Sequence, residues 1–246
     1  MKLSNLNIGI ISQARMTSSR LPGKILFECK GVTILEHHIN RLRASDVPVF
    51  VATTTNATDD PVIDTLLNLD IPYFRGDEQN VLSRYYYTAL ENNLDLVIRV
   101  TSDCPLIDGL LIKKALEDHL KSYSKNLYTS NCIERSYPRG FDFEIFSFEL
   151  LKEAFDTATL PSDLEHVTPY IHQNKSGNVL FNSIRNFEDK SGYRVTLDTT
   201  DDWKLISKLI NDYNAEDLGY LEIIKLLDVN KDLALINAHV EQKKVE

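Results

Sequence analysis

The sequence predicts an α/β fold with a mixed, mostly parallel sheet flanked by helices, and three observations carry that reading. Short apolar runs alternate with stretches of helical periodicity along most of the chain, the pattern of repeated βα units. The run Leu96, Val97, Ile98, Val100 is almost continuously apolar, as a central strand covered on both faces should be. A long polar loop, Ser12 to Lys24, follows the first apolar run, where open α/β sheets place their ligands.

The elements follow in order. Leu6 to Ile11 is the first strand. Thr33 opens a helix to about Arg43, with Ile34, Leu35, Ile39 and Leu42 on one face. Pro48 to Thr53 is a second strand; Asp59, Asp60 and Pro61 start a helix through about Leu67; Pro72 to Phe74 is a short strand; Asn80 to Asn92 is a helix. Leu94 to Val100 is the central strand. A helix from Gly109 to about Lys121 and a strand near Asn126 to Thr129 come next. In 131–146, Arg135, Pro138, Arg139 and Gly140 interrupt two extended pieces, which reads as an inserted β-arm or hairpin projecting from the sheet. Helices at Ser147 to Thr157 and Leu164 to His172, strands at Val179 to Ile184 and Tyr193 to Leu197, and helices at Asp201 to Tyr213, Leu218 to Leu227 and Leu233 to Val240 complete the chain. With no repeat, low-complexity stretch or linker, residues 1–246 read as a single domain.

Composition narrows the function classes. The chain is 43% hydrophobic with a formal net charge of −9, which argues against a nucleic-acid or anionic-membrane binder. No apolar run approaches a membrane span or a signal h-region. Cys29, Cys104 and Cys132 form no CxxC pair, so a reducing cytoplasm is the expected compartment. The charge is uneven: no Asp or Glu precedes Glu28, whereas Lys2, Arg15, Arg20 and Lys24 do.

Three of those cations lie in the polar loop. Arg offers a fork to phosphate oxygens and Lys a mobile point charge, a combination suited to a triphosphate, although a solvated basic surface loop has the same composition. Neither GxxxxGK[ST] nor GxGxxG occurs there. Asp103, just past the central strand, is the first candidate for Mg²⁺, which one or two carboxylates and substrate phosphates usually hold. Asp108 reads instead as a helix cap, as do Thr200, Asp201 and Asp202 together; Asp198 precedes that cap and has no comparable structural explanation. His37 and His38 point in different directions on a helix, Tyr85 to Tyr87 read as packing, and Cys104 lacks an evident base.

Five stretches, QARMTSSRLPGKIL (13–26), RGDEQNVLSRY (75–85), RVTSDCPLID (99–108), EHVTPYIH (165–172) and RVTLDTTDD (194–202), resemble the cytidylyltransferase family that includes spore-coat polysaccharide biosynthesis proteins and, more distantly, CMP-sialate and CMP-Kdo synthetases. The resemblance implies a Rossmann-like nucleotidyltransferase fold that couples CTP, with Mg²⁺ or Mn²⁺, to a sugar acid or sugar phosphate. It implies nucleotide binding by Gln13, Ala14, Arg15, Ser18, Arg20, Lys24, Arg75, Asn80, Ser83, Thr101 and Ser102, the segment from Arg75 to Arg84 lying around the base. Arg20, Lys24 and Asp103 would be catalytic, Asp103 and Asp198 would hold the metal, and 131–146 would form a homodimer arm. The chain departs from the family pattern at Leu164 (commonly Arg), Gly109 and Thr200 (both commonly Pro). Two other classes remain open: a nucleotide-sugar-dependent glycosyltransferase, although Asp103-Cys104-Pro105 lacks the second carboxylate of an Asp-x-Asp pair, and a non-catalytic nucleotide-binding module.

Overall fold

The computed structural model describes residues 6–242, so Lys2 lies outside the described residues. Among these, nine strands and ten α-helices are β1 (Ile8–Gln13), β2 (Glu28–Cys29), β3 (Val32–Thr33), α1 (Ile34–Arg43), β4 (Val49–Thr54), α2 (Asp60–Asn68), β5 (Tyr73–Gly76), α3 (Val81–Glu91), β6 (Leu96–Thr101), α4 (Gly109–Lys121), β7 (Leu127–Ser130), β8 (Glu144–Ser147), α5 (Phe148–Thr157), α6 (Pro161–His166), α7 (Pro169–His172), β9 (Leu180–Ser183), α8 (Thr200–Tyr213), α9 (Tyr220–Val229) and α10 (Lys231–Leu235).

Seven strands form one sheet in the order β5-β4-β1-β6-β8-β7-β9, and β8 alone runs against its neighbours. The mixed, mostly parallel sheet flanked by helices is therefore as the periodicity indicates. Alternation sends Ile10, Ile98 and Val100 into a core with α4, α8 and α9, and Ile11 and Val97 into a second core with α3 and α5. β1 and β6 are central neighbours, with Gln13 opposite Thr101, so the loops after them open at one edge.

Several local readings change. β1 continues through Ser12 and Gln13, residues read as loop. Residues 28–33 fold as a two-strand hairpin whose turn, Lys30 and Gly31, has positive φ at both positions. The segment read as a projecting hairpin is folded back: Tyr137, Phe141 and Phe143 are buried in the chain's own core, and Glu144 onward joins the sheet as β8. Tyr193 to Leu197 is extended but is not a sheet strand; it makes a single parallel bridge, Arg139 to Arg194. Gly140 (φ 109°) allows that approach, since a Cβ there would lie 2.6 Å from the Val195 backbone. The helix expected over Leu164 to His172 breaks into α6 and α7 around Val167, and only Lys231–Leu235 of the last stretch is α-helical, ahead of the predicted Leu233 to Val240. Gly109 is required by packing rather than by a turn, because a Cβ would meet the Arg41 carbonyl oxygen at 2.4 Å. No helix among the described residues is long and apolar enough to cross a membrane.

Candidate active site

The loop after β1 is held from below. The Met16 amide donates to Asp59 Oδ1 at 2.6 Å, and Thr54 donates to the other oxygen of this buried carboxylate, so β4 and α2 fix the loop's start. Gly23, at φ 72°, returns the chain so that its amide bonds the Met16 carbonyl at 2.9 Å, and Lys24 enters a short 3-10 turn pointing inward.

Lys24 is buried between two carboxylates. Its Nζ donates to Asp103 Oδ2 (2.8 Å), Asp198 Oδ1 (2.7 Å) and the Leu197 carbonyl (2.6 Å). Burial opposes the charge on Lys24, but the two carboxylates override it and raise its pKa; burial likewise opposes the Asp103 charge, and Lys24 holds that carboxyl well below the usual range. Asp198 is brought to Asp103 by the extended 194–198 segment: the Leu197 amide donates to the Asp103 carbonyl at 2.8 Å, and Thr196 Oγ1 to the same oxygen at 3.1 Å.

Arg194 locks that segment. Its NH2 donates to Asp198 Oδ2 (2.7 Å) and its Nε to Asp202 Oδ1 (2.8 Å), while NH1 reaches Gln242 Oε1 (2.6 Å). Asp202 also closes a capping box with Thr199, so the cap is Thr199 and Thr200 is the first helical residue, the position where Pro is favoured. Asp202 and Asp108 are thus structural, the latter accepting from the Leu110 and Leu111 amides. His38 lies under the floor, bonding the Cys104 carbonyl through Nδ1 (2.9 Å) and Ser12 Oγ through Nε2 (2.9 Å), with Ser12 next bonded to Ser102. A carbonyl accepts only, so Nδ1 carries the proton and Nε2 accepts from Ser12. Burial pushes the His38 pKa down to about 4, which keeps this neutral tautomer. Burial also pushes the Cys104 thiol well up, against a nucleophilic role.

Lys24, Asp103 and Asp198 line a cleft of about 530 Å³ at the carboxyl edge of β1 and β6. Gln13, Ala14, Arg15, Ser18, Arg20, Lys24, Thr101, Ser102, Asp103 and Asp198 all line it, whereas Arg75, Asn80 and Ser83 do not. Arg75 bonds the Thr54 and Asn56 carbonyls and pairs with Asp60; Asn80 caps α3 by accepting from the Ser83 amide. From the same stretch, Arg84 lines the cleft instead. It is 1% exposed, its Nε has no partner, its NH1 donates to the Ala52 carbonyl at 3.3 Å, and among the described residues it makes no ion pair, Asp59 and Glu78 acting on its charge only from farther away. Burial lowers its pKa, with the neighbouring Arg15 adding to the effect.

Sequence reasoning missed the opposite wall, Ser162, Glu165 and His166, together with Gln242. Glu165 and His166 stood within a family-like stretch that carried no chemical signal of its own. The wall is braced by Val167, whose φ of 71° and ψ of −52°, with the Thr168 amide donating to the His166 carbonyl at 2.8 Å, make a classic γ-turn, a strained conformation for a β-branched residue. Thr168 Oγ1 then donates to Glu144 (2.7 Å), which is paired with Arg99 beneath Gln13.

The family model described as cytidylyltransferase matches residues 8–244. The chain belongs to the cytidylyltransferase family. Among relatives, the uncharacterized protein MJ1063 of Methanocaldococcus jannaschii is 34% identical over 96% of each chain. The spore coat polysaccharide biosynthesis protein SpsF of Bacillus subtilis is 30% identical over 93% of this chain and 97% of its own. A cytidylyltransferase structure from Leptospira borgpetersenii superposes with a TM-score of 0.89 at 30% identity, covering 98% of this chain and all of that one. Cytidylyltransferase membership makes the chain a nucleotidyltransferase by family, and the fold is the nucleotidyltransferase fold.

The donor set suits a hard divalent cation. Asp103 and Asp198 supply two carboxylates at the cleft, the oxygen donors that Mg²⁺ or Mn²⁺ takes together with substrate phosphates.

Proposed function

We propose that this cytidylyltransferase couples CTP to a sugar acid or sugar phosphate, releasing pyrophosphate and an activated sugar for surface polysaccharide or glycan synthesis. The convergence of Arg15, Arg20, Lys24 and Arg84 with Asp103 and Asp198 in one cleft supports the reading most directly. An acceptor oxygen attacks the α-phosphorus in line with the leaving pyrophosphate, and positioning plus charge neutralisation supply the catalysis. Arg15 and Arg84 meet the triphosphate from the loop and from α3. Arg20 and Lys24 neutralise charge on the leaving group. Asp103 and Asp198 would hold Mg²⁺ or Mn²⁺, which supplies Lewis-acid polarisation of phosphate oxygens. The floor of Ser12, Ser102 and His38 keeps Gln13, Thr101 and Ser102 in register. No nucleophile on the protein is needed.

We also assign the enzyme to a reducing cytoplasm, in keeping with three free thiols, and to a homodimer formed around 131–146. Ile133 and Phe187 support that face: both are exposed, Phe187 fully, on segments joined by Arg185 to Glu134 (2.9 Å) and Asn186 N to Ser136 Oγ (2.8 Å). The function is tested by pyrophosphate release from CTP with nonulosonic acids and sugar phosphates in turn. The expected result is metal-dependent release that Asp103→Ala and Lys24→Ala both abolish with the fold intact; near-wild-type release from either variant would remove the mechanism.

A further inference from the structure

Lys24 has no hydrogen left for a phosphate. An ammonium carries three donors, and those of Lys24 go to Asp103, Asp198 and the Leu197 carbonyl, all within 2.8 Å. Arg20 is engaged through one nitrogen, its NH2 lying 3.0 Å from Asp198 Oδ2. Asp198 therefore faces Lys24, Arg20 and Arg194, and Asp202 takes the other edge of Arg194. Three carboxylates and three cations make a formally neutral, closed cluster at the centre of a site built to receive a highly charged substrate.

Such a cluster resists either half of that substrate on its own. A divalent cation alone meets carboxylates already compensated, with an ammonium lodged between them. A triphosphate alone meets Lys24 with no free donor and Arg20 with its charge shared with Asp198, and the two aspartates repel it. Metal and triphosphate together satisfy every group, because the cation replaces the side-chain charges on the aspartates while the phosphates take up the cations set free.

We infer that Lys24 and Arg20 act as exchangeable internal cations: they hold Asp103 and Asp198 until a divalent metal takes the carboxylates, and are thereby released to the triphosphate, making metal and nucleotide entry mutually dependent. This rests on the metal-nucleotide reading of the cleft proposed above. Three details favour exchange over a permanent structural triad. Lys24 donates to Asp103 through Oδ2 alone, and Asp103 itself lines the cleft. Lys24 and Arg20 both line the cleft, so release carries them toward the phosphates rather than through protein. Arg194 is anchored independently by Asp202 and stays on Asp198, so departure of the other two leaves Asp198 partnered and Asp103 as the carboxylate a metal must compensate.

The test is Mn²⁺ binding to nucleotide-free protein, followed by the electron paramagnetic resonance signal of the free ion. Lys24→Met, which removes an ammonium whose charge-assisted hydrogen bonds compete for both carboxylates, binds Mn²⁺ more tightly than wild type by about 10- to 100-fold. Asp103→Asn added to that variant cancels the gain. Arg20→Met, at a partly exposed position that the fold tolerates, gives a smaller gain in the same direction and serves if Lys24→Met does not fold. Equal or weaker binding by both cation variants, or no binding by any of them, overturns exchange. Pyrophosphate release from CTP by the wild type is measured in parallel: a gain in Mn²⁺ affinity without wild-type turnover refutes the proposed activity and leaves the exchange standing, and the reverse refutes the exchange alone.

Discussion

Replacing Arg194 by Met removes a guanidinium held between two carboxylates. The lost bonds are those to Asp198 at 2.7 Å, to Asp202 at 2.8 and 3.2 Å and to Gln242 at 2.6 Å, in a residue 6% exposed. Breaking a buried pair from one side costs about 3–5 kcal/mol. Here the surviving partners set the value at the lower end: Asp202 keeps the amides of Asp198 (3.0 Å) and Thr199 (2.9 Å) and the Asn237 side chain (2.8 Å), and Asp198 keeps Lys24 and Arg20. We expect a loss of about 3 kcal/mol, within the ~5–15 kcal/mol that a folded domain has available, so the variant remains folded. Arg194→Lys keeps the charge but not the fork and costs about half as much. Urea unfolding followed by circular dichroism reads both values, and the Mg²⁺ concentration for half-maximal pyrophosphate release rises in Arg194→Lys because Asp198 loses its fixed partner. An Arg194→Met protein within about 0.5 kcal/mol of wild type, with unchanged Mg²⁺ dependence, would refute the role given to this side chain.

Three further predictions concern groups around the cleft. His38, whose pKa falls from 6.5 to about 4 on folding, binds fewer protons folded than unfolded between those values, so its contribution is present above pH 6.5 and is lost as pH falls toward 4. The loss amounts to about 3 kcal/mol, and the slope of unfolding free energy against pH in that window is shallower in His38→Gln; an unchanged slope contradicts the neutral-tautomer assignment. Glu144→Gln leaves Arg99 buried without its counter-charge and costs about 3–5 kcal/mol by urea unfolding, whereas a cost below about 0.5 kcal/mol would show that Arg99 finds water. Arg84→Met raises KM for CTP by about tenfold or more, as loss of a hydrogen bond to a charged group worth ~1.5–3 kcal/mol requires, and an unchanged KM removes Arg84 from the nucleotide wall.

Elements whose burial follows a regular period were legible in the sequence: β1, β4 and β6, and helices α1, α3 and α8, lie within a few residues of where apolar spacing puts them. Segments stabilised by single long-range contacts were not. Tyr193 to Leu197 alternates like a strand because it is extended with Val195 and Leu197 buried, yet its backbone partners are Arg139 and Asp103 rather than a ladder. The hairpin at 28–33 has strands of two residues, too short for any period. For the candidate site, charge asymmetry and strand ends pointed to loop cations and two aspartates that the fold brings to one cleft. They did not reveal that Lys24 is turned inward, because the partners that turn it lie 79 and 174 residues away. Arg194 is spaced four and eight residues from Asp198 and Asp202 across a strand-to-helix corner, so no single periodicity aligns the three. Arg75, Asn80 and Ser83 carry the family-like pattern, but here their hydrogen bonds shape the approach to α3, and the side chain that reaches the cleft is Arg84.

Which nucleotide the cleft consumes decides whether the proposed chemistry holds. Pyrophosphate release measured with each of CTP, UTP, ATP and GTP, in the presence of Mg²⁺ and a panel of nonulosonic acids and sugar phosphates, should show release with CTP and at least one acceptor, none without metal, and none from Asp103→Ala. Release that favours another nucleoside triphosphate, or that survives in Asp103→Ala, would contradict it.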